Sequence, residues 1–412
     1  MKVVIVGGGA SGMMCAALLK KEDCEVVLIE KNEKLGKKLF ITGKGRCNLT
    51  NDCTIEDFLA NIVVNSKFVM SAIHGFTPQD VMAFFEENSL KLKVERGDRV
   101  FPESDKSSDV IKCLERVIKS NKTQILLNTR VDRILTENGI AKGVITDTGA
   151  VILADKVIVA TGGVSYSSTG STGDGYRWAK ALGHNVVDVR PALVPILLKE
   201  TYGLQGLSLK NVCASIVKDG KKLYSQFGEM LFTHSGVSGP IILSLSSLIN
   251  KHYDGKKFDG KYTLCVDLKP ALTQETLDNR LLREFSQKIN CEIKNVLPEL
   301  MPKALVSVVL AQAGIKPSQT VNSIRKEQRD KLVGTIKNLM FDIAGLENIN
   351  AGIITSGGVD CKQINPKDMS SKIVQNLYFI GEVLDVDALT GGFNLQIAFC
   401  TAHQVCAALM RA

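Results

Sequence analysis

The feature that most constrains this chain is a glycine turn set between two strands. Residues 2 to 6, KVVIV, are a β-branched run, and Gly7-x-Gly9-x-x-Gly12 follows at once. Residues 13 to 20, MMCAALLK, are good helix formers, and residues 25 to 30, EVVLIE, form a second strand ending in an acid 18 residues beyond Gly12. Strand, glycine turn, helix and strand make a βαβ unit. Gly7 permits the tight turn, Gly9 lets backbone approach a pyrophosphate, and Gly12 lets the helix pack closely on the strand. Phosphate then meets unpaired amides and the positive dipole end of the helix at Ala10 and Ser11, while Glu30, next to Lys31, accepts ribose hydroxyl hydrogen bonds. With strand, helix and terminal acid in register, the motif reads as a dinucleotide site. A plain structural turn leaves Glu30 a coincidence.

The rest of the 412 residues divide by style. Residues 79–89 and 106–120 read as amphipathic helices, and 123–135, 140–146 and 150–160 as strands, the last ending IVATGG. The chain returns to strand and glycine loop at 351–358 and 377–381 and closes with a helix over 394–410. Between them, alternating stretches with Asp219-Gly220 as a hairpin signal give way to a helical, Lys- and Arg-bearing pattern over 273–338. The expected architecture is therefore α/β. A discontinuous Rossmann-like domain, 1–190 and 351–412, carries an insert over 191–350, β-rich to 270 and helical from 271.

Composition excludes several classes. At 45% hydrophobic and 23% charged residues the chain is neither disordered nor low-complexity. Eleven cysteines include no CxxC pair, and five histidines include no HxH or HxxxH spacing, so no metal centre and no disulfide framework is expected. Three glycines interrupt the apolar start too early for a signal peptide, and no apolar run approaches the roughly 20 residues of a membrane span. The expected setting is the cytoplasm, without a membrane partner. The formal charge is +8, of which about +6 falls in 191–350, where the reading is either a solvated basic face or attraction to an anionic partner.

Glycine fingerprints serve both FAD and NAD, and the C-terminal end decides between them. LYFIGE (377–382) runs a strand into Gly381-Glu382, and Gly391-Gly392-Phe393-Asn394 opens the last helix. That helix start, aimed at the N1 and C2 edge of a flavin, stabilises the charge of the reduced ring. An NAD-only dehydrogenase needs no such second region, so FAD is expected. No second GxGxxG with its own βαβ appears, which makes NAD(P)H a transient electron donor that visits the flavin face.

The set GGGASGMMCA, GKKLFITGKGRCNLTN, ATGGVSYSSTGSTGDGY, FTHSGVSGP and GEVLDVDALTGGFNLQIA resembles the BaiN/RdsA family of FAD-dependent oxidoreductases, the HI-type conserved flavoproteins, together with aminoacetone oxidase-like proteins. The motifs run from residue 7 to 398. The resemblance implies a two-dinucleotide-binding-type fold with an insert domain and a site wider than the first turn. It implies that Lys38, Arg46 and Asn48 lie under the flavin, that Val131, Thr161 and Gly162 carry backbone back to the cofactor, and that Gly381, Glu382, Asp387, Gly392, Phe393, Asn394 and Leu395 complete it. Cys47, in the glycine-rich loop, and His234, in FTHSGVSGP, are the candidate proton donors; their bland alternatives are a buried small side chain and a structural histidine. Asp174 reads as a helix cap or a site residue. Two positions depart from the family: Lys44 and Ala388 stand where glycine is usual.

The function expected is hydride transfer between FAD N5 and an organic substrate, with the cofactor carrying the chemistry. Family activities span dihydrouridine formation in ribosomal RNA, reduction of conjugated steroid acids, and amine oxidation. Positive charge in the insert favours ribosomal RNA over a small-molecule substrate. A non-enzymatic flavin-binding assembly protein is the alternative from another class.

Overall fold

A computed structural model describes residues 1–412 except 21, 23, 255 and 412. The chain forms two compact units: Met1–Ala192 with Ile349–Ala412, here the Rossmann unit, and Leu193–Asn348, here the insert unit.

The Rossmann unit is built on five strands in the order Leu377–Phe379, Lys156–Val159, Lys2–Val6, Glu25–Ile29, Gln124–Leu126. Every pairing is parallel. Sequences such as KVVIV and EVVLI read as continuous apolar runs because helices cover both faces of such a sheet, and Val3, Val4 and Ile5 are fully buried. Helices Ala10–Leu18 and Phe393–Arg411 pack together, bringing Cys15 Sγ within 3.5 Å of Cys406 Sγ. The last helix is long and apolar enough to cross a membrane by composition, yet most of its length is buried here as a core helix. Its polar core contacts include Gln396, which hydrogen-bonds Thr50 Oγ1 and the Phe76 carbonyl.

Two strands expected as single runs are each divided. Residues 123–135 become Gln124–Leu126 in the parallel sheet and Val131–Glu137 in a separate antiparallel sheet, the chain turning through Asn128 at φ 50°. Residues 150–160 become Val151–Leu153 and Lys156–Val159, with the Asp155 amide bonded to the Lys2 carbonyl at 2.9 Å as the chain changes sheets. Apolar alternation marks strand character but not which sheet takes the strand. The first division puts a loop, 127–130, at the carboxyl ends of the parallel strands, the crevice where open α/β sheets hold ligands, and the second puts its loop at their amino ends.

The insert unit is a closed six-stranded barrel, ordered Ile196–Leu198, Gly236–Ser238, Lys221–Phe232, Ser208–Lys218, Tyr262–Asp267, Leu339–Leu346. Asp219 and Gly220 sit at φ 47° and 83°, the pair of positive values that a tight two-residue hairpin requires. Helices Gln274–Gln287, Lys303–Ala313 and Lys326–Lys337 lie between the fifth and sixth barrel strands. The expected division into a β-rich first part and a helical second part therefore needs correction at its end. Leu339–Leu346 returns as a strand, with alternating burial, and closes the barrel against both Tyr262–Asp267 and Ile196–Leu198.

Candidate flavin site

The glycine turn leaves the first strand with Gly7 at φ 110°. A Cβ at Gly7 would lie 2.5 Å from the Ala160 carbonyl oxygen, and one at Gly12 would lie 1.9 Å from the Gly7 carbonyl oxygen, so strand, turn and helix are in backbone contact. Gly9 differs. Its backbone is extended, which any residue adopts, and a Cβ there would meet nothing within 4 Å. What its missing side chain leaves bare is the cavity side of the loop. The first helix turn has no side-chain cap, so the amides after Gly9 point at that bare side as an anion cradle.

Glu30 ends the second strand and is nearly buried. Its Oε2 accepts from the Gly8 amide at 2.8 Å, and its Oε1 accepts from the Asn32 amide at 2.8 Å and Asn32 Nδ2 at 2.6 Å. Donors on both oxygens hold the carboxylate rigidly beside the turn.

These residues open onto a cavity of about 320 Å3 within the Rossmann unit. Gly7, Gly9, Ala10, Ser11, Glu30 and Lys31 line one part of it. Lys38 lines it from the short helix Lys37–Ile41, Asn48 from the glycine-rich loop, and Val131, Thr161 and Gly162 from strand ends. Glu382, Gly392, Asn394 and Leu395 line it from the C-terminal segment. Gly12, Gly381, Asp387 and Phe393 stand behind this wall rather than in it. Gly381 at φ 72° seats its backbone against Ser11 and donates its amide to Thr401 Oγ1 at 3.0 Å. Phe393 packs edge-on to Phe58, ring centroids 5.5 Å apart. Asn394 clamps the adjacent loop: its Oδ1 accepts from the Ala388 amide and its Nδ2 donates to the Ala388 carbonyl, both at 2.9 Å.

The electrostatics are those of a prepared polar wall. Lys38 Nζ donates to both oxygens of Glu382, at 2.9 and 2.8 Å, and to Ser165 Oγ at 2.7 Å; the Thr355 amide also reaches Glu382 at 2.9 Å. Lys31 Nζ meets Asp174 at 2.8 Å. Burial pushes the Asp174 carboxyl up, but Lys31, Thr172 and Arg130 outweigh it and hold the group below the usual carboxylate range. Asp174 thus opens its helix and lines the cavity too. Thr42, Thr355 and Leu389, which stand beside glycine motifs in the sequence, also line the cavity, as does Arg130, which no such motif flags.

Two expected roles change. Cys47 is fully buried and outside the cavity lining, and burial pushes its thiol up to about 12; the thiol is not placed to hand a proton to a molecule in the cavity. Arg46 turns away from the cavity, because Glu95 and Asp105 take its guanidinium, the latter at 2.7 Å from Nε, and it stacks 4.1 Å over the Phe101 ring. His234 is an exposed turn residue of the insert unit, between the strands ending at Phe232 and starting at Gly236. The departures also find reasons. Lys44 has φ 58° between Gly43 and Gly45, also left-handed, so a glycine there fits the backbone more easily; its side chain is exposed. Ala388 is fully buried and has no left-handed backbone, so this position does not demand glycine.

The cavity's donor set fits FAD. Gly9 leaves room for a pyrophosphate, Glu30 is held rigidly beside the turn, and two buried cavity atoms, Asn48 Oδ1 and Thr161 Oγ1, have no partner among the described residues. Buried polar atoms normally find one. A glycine turn built for a pyrophosphate, completed by a second glycine motif at a helix start, defines the class: an FAD-dependent oxidoreductase of Rossmann type.

Comparison with known proteins gives the same class and narrows it. The chain belongs to the HI0933-like protein Rossmann domain family, which matches residues 1–408. It is similar to the ribosomal RNA dihydrouridine synthase of Haemophilus influenzae, 30% identical over 99% of this chain and 98% of that one. It is also similar to the 3-dehydro-bile acid delta(4,6)-reductase of Clostridium scindens, 28% identical over 98% and 97%. Among solved structures, 3-ketosteroid-delta4-(5alpha)-dehydrogenase from Rhodococcus jostii shares the fold, with TM-score 0.56, 13% identity and coverage of 100% of this chain and 96% of that one.

Proposed function

We propose that this enzyme reduces the C5=C6 bond of a uracil in ribosomal RNA to dihydrouridine, with NAD(P)H as the reductant. The net reaction consumes one NAD(P)H and one proton, adds hydrogen to both carbons and releases NAD(P)+. The observation that carries the reading is full-length similarity to two ribosomal RNA dihydrouridine synthases, each 30% identical, joined to the basic excess of the insert unit. When bound, FAD supplies hydride transfer between the nicotinamide and the base. The chain's own residues do the rest. Gly9 and the helix amides beyond it hold pyrophosphate, and Glu30 holds the ribose. Lys38 and Glu382 form a half-buried charge pair that keeps the wall rigid, and Asn394 fixes the loop at 388–389. His234 is the remaining candidate donor of the proton.

The test is genetic and chemical. Deleting the gene should remove dihydrouridine from at least one ribosomal RNA position, and purified enzyme with NAD(P)H should restore it. Unchanged dihydrouridine everywhere refutes the reading. A second reading, reduction of conjugated steroid acids, rests on the bile acid reductase relative. It predicts rapid reoxidation of the reduced enzyme by such acids and no effect of deletion on RNA.

A further inference from the structure

The basic excess of the insert unit is not spread evenly. The helical segment 273–338 carries eleven Lys and Arg against seven acids. Four of those cations are already held by carboxylates: Lys288 by Glu299 at 2.8 Å, Lys294 by Glu292 at 2.7 Å, Arg329 by Asp278 at 2.5 Å and Lys337 by Asp267 at 2.7 Å. Residues 218–222 and 251–261 are far denser, with seven Lys against three Asp.

The fold brings these two short segments to one end of the barrel. Lys218 pairs with Lys221 across the hairpin and with Tyr262 across the next strand. The Asp219 amide bonds to the Lys261 carbonyl, and Asp219 Oδ1 accepts from the Lys261 amide, both at 3.0 Å. The three aspartates are committed locally. Asp259 takes Lys218 at 3.0 Å and Tyr262, which hold its carboxyl down to about 2; Asp254 accepts the Lys256 and Lys257 amides. Ion pairs among the described residues reach Lys218 and Lys261 but leave Lys221, Lys222, Lys251, Lys256 and Lys257 exposed and unpaired.

An aromatic lies on the same surface. The inward residues of the first hairpin strand are Val212, Ala214 and Ile216, all buried, so Cys213 and Val217 face outward with their partners Phe227 and Lys222. Phe227 is 57% exposed, a large apolar ring left in water on a strand that leads to the lysine tip. Unpaired lysines that attract phosphate, with an aromatic face on which a base can stack, are the two parts of a single-stranded nucleic acid surface.

We propose that the hairpin end of the insert barrel, with Lys221, Lys222, Lys256 and Lys257 as phosphate contacts and Phe227 as a stacking platform, is the surface that grips single-stranded ribosomal RNA. The proposal rests on the ribosomal RNA reading above and places the contact on the barrel tip rather than on the helical layer.

The probe is an in vitro transcript of the host's ribosomal RNA, bound by the FAD-loaded full chain across a salt series. Replacing Lys221, Lys222, Lys256 and Lys257 by Gln should weaken binding about tenfold or more and flatten the log affinity against log salt slope by about 3, since each single-strand phosphate contact contributes about 0.7. Phe227→Ser should weaken binding about fivefold or more with the slope unchanged, because stacking is not ionic. A control with Lys303, Lys316, Lys326 and Lys331 replaced by Gln should bind within twofold of wild type. All three proteins should keep the wild-type flavin spectrum and melting temperature, since every changed residue is an exposed side chain of the insert unit. Tip variants that bind like wild type, or a control that loses more than they do, overturn the proposal while the ribosomal RNA reading stands. Wild-type protein that fails to bind the transcript overturns both. Binding to phosphatidylserine vesicles but not to RNA identifies a lipid surface and overturns the RNA assignment of the patch.

Discussion

The two units treat carboxylates in opposite ways. Among the described residues every buried carboxylate, Glu30, Asp174, Asp385 and Asp387, belongs to the Rossmann unit; the insert unit buries serines and an asparagine but no acid. Taking a carboxylate from water costs several kcal/mol unless donors replace the lost solvent. Glu30 has three donors and Asp174 has Lys31, so their burial is compensated by an arrangement that also faces the cavity. In the insert unit the core is apolar and the charge is outside, where it can meet a large anionic partner. Inward polarity marks the small-molecule site, and outward polarity marks a surface.

The contrast breaks most severely at the glycine turn. Gly12→Val places a branched side chain 1.9 Å from the Gly7 carbonyl, and overpacking of this kind is expected to destabilise by about 3 kcal/mol. Thermal melting should show the loss, and purified protein should carry no yellow cofactor; a stable yellow variant would contradict the contact. Gly9 sharpens the same point from the other side. Gly9→Trp meets no protein atom near its Cβ, so the apoprotein should melt like wild type while FAD content, read by absorbance, falls to background.

Glu30→Gln should come next. It keeps the shape but removes the charge from a hydrogen-bonded acceptor, a change worth about 1.5–3 kcal/mol, so FAD affinity measured by equilibrium dialysis should fall roughly ten- to a hundredfold. Unchanged affinity would sever Glu30 from the ribose.

Asp387 is the exception within its unit and tests the rule by pH. It is 1% exposed, its Oδ1 accepts from Ser356 Oγ at 3.0 Å, and its Oδ2 has no partner among the described residues. Burial, with Asp385 and Glu382 nearby, raises its carboxyl to about 7 against the Ser356 hydrogen bond. An unfolded aspartate titrates near about 3.9, so the folded state binds the proton more tightly in between. The stability this group contributes is present below about pH 4 and is lost as pH rises through about 7. Asp387→Asn should therefore melt a few degrees above wild type at pH 8 and alongside it at pH 4. Equal melting at pH 8 would mean that the ionised carboxylate is accommodated without penalty.

The smallest effect expected is at Cys47. Cys47→Ala removes a buried sulfur and should lower stability by about 1 kcal/mol, with single-turnover reoxidation by substrate at the wild-type rate. A hundredfold slower rate at intact FAD content would restore the thiol to the reaction.

What was legible follows from range. The βαβ unit, the Gly7 to Gly12 turn and the acid at Glu30 act within thirty residues, through backbone sterics and side-chain periodicity that any reader of the sequence can apply. The Asp219-Gly220 hairpin is equally local. Arg46 shows the opposite case: the glycine-rich loop displays a cation, but nothing near it reveals Glu95 and Asp105, 49 and 59 residues on, which take its charge. Cys47 likewise looks available until Thr42 and the surrounding core close over it.

The sequence by itself determined that the chain has a glycine turn after its first strand, an acid at the end of the second and a second glycine motif at the last helix, because close backbone approach and left-handed backbone demand glycine wherever they occur. The tertiary structure alone decided which wall each residue joins. It divided two apolar runs between sheets and brought Leu339–Leu346 back across a helical layer to close the barrel. It also gathered lysines from 218–222 and 251–261 at one end. Such choices rest on pairing energies between distant segments, which outweigh the local preference of either segment and leave no mark in its spacing.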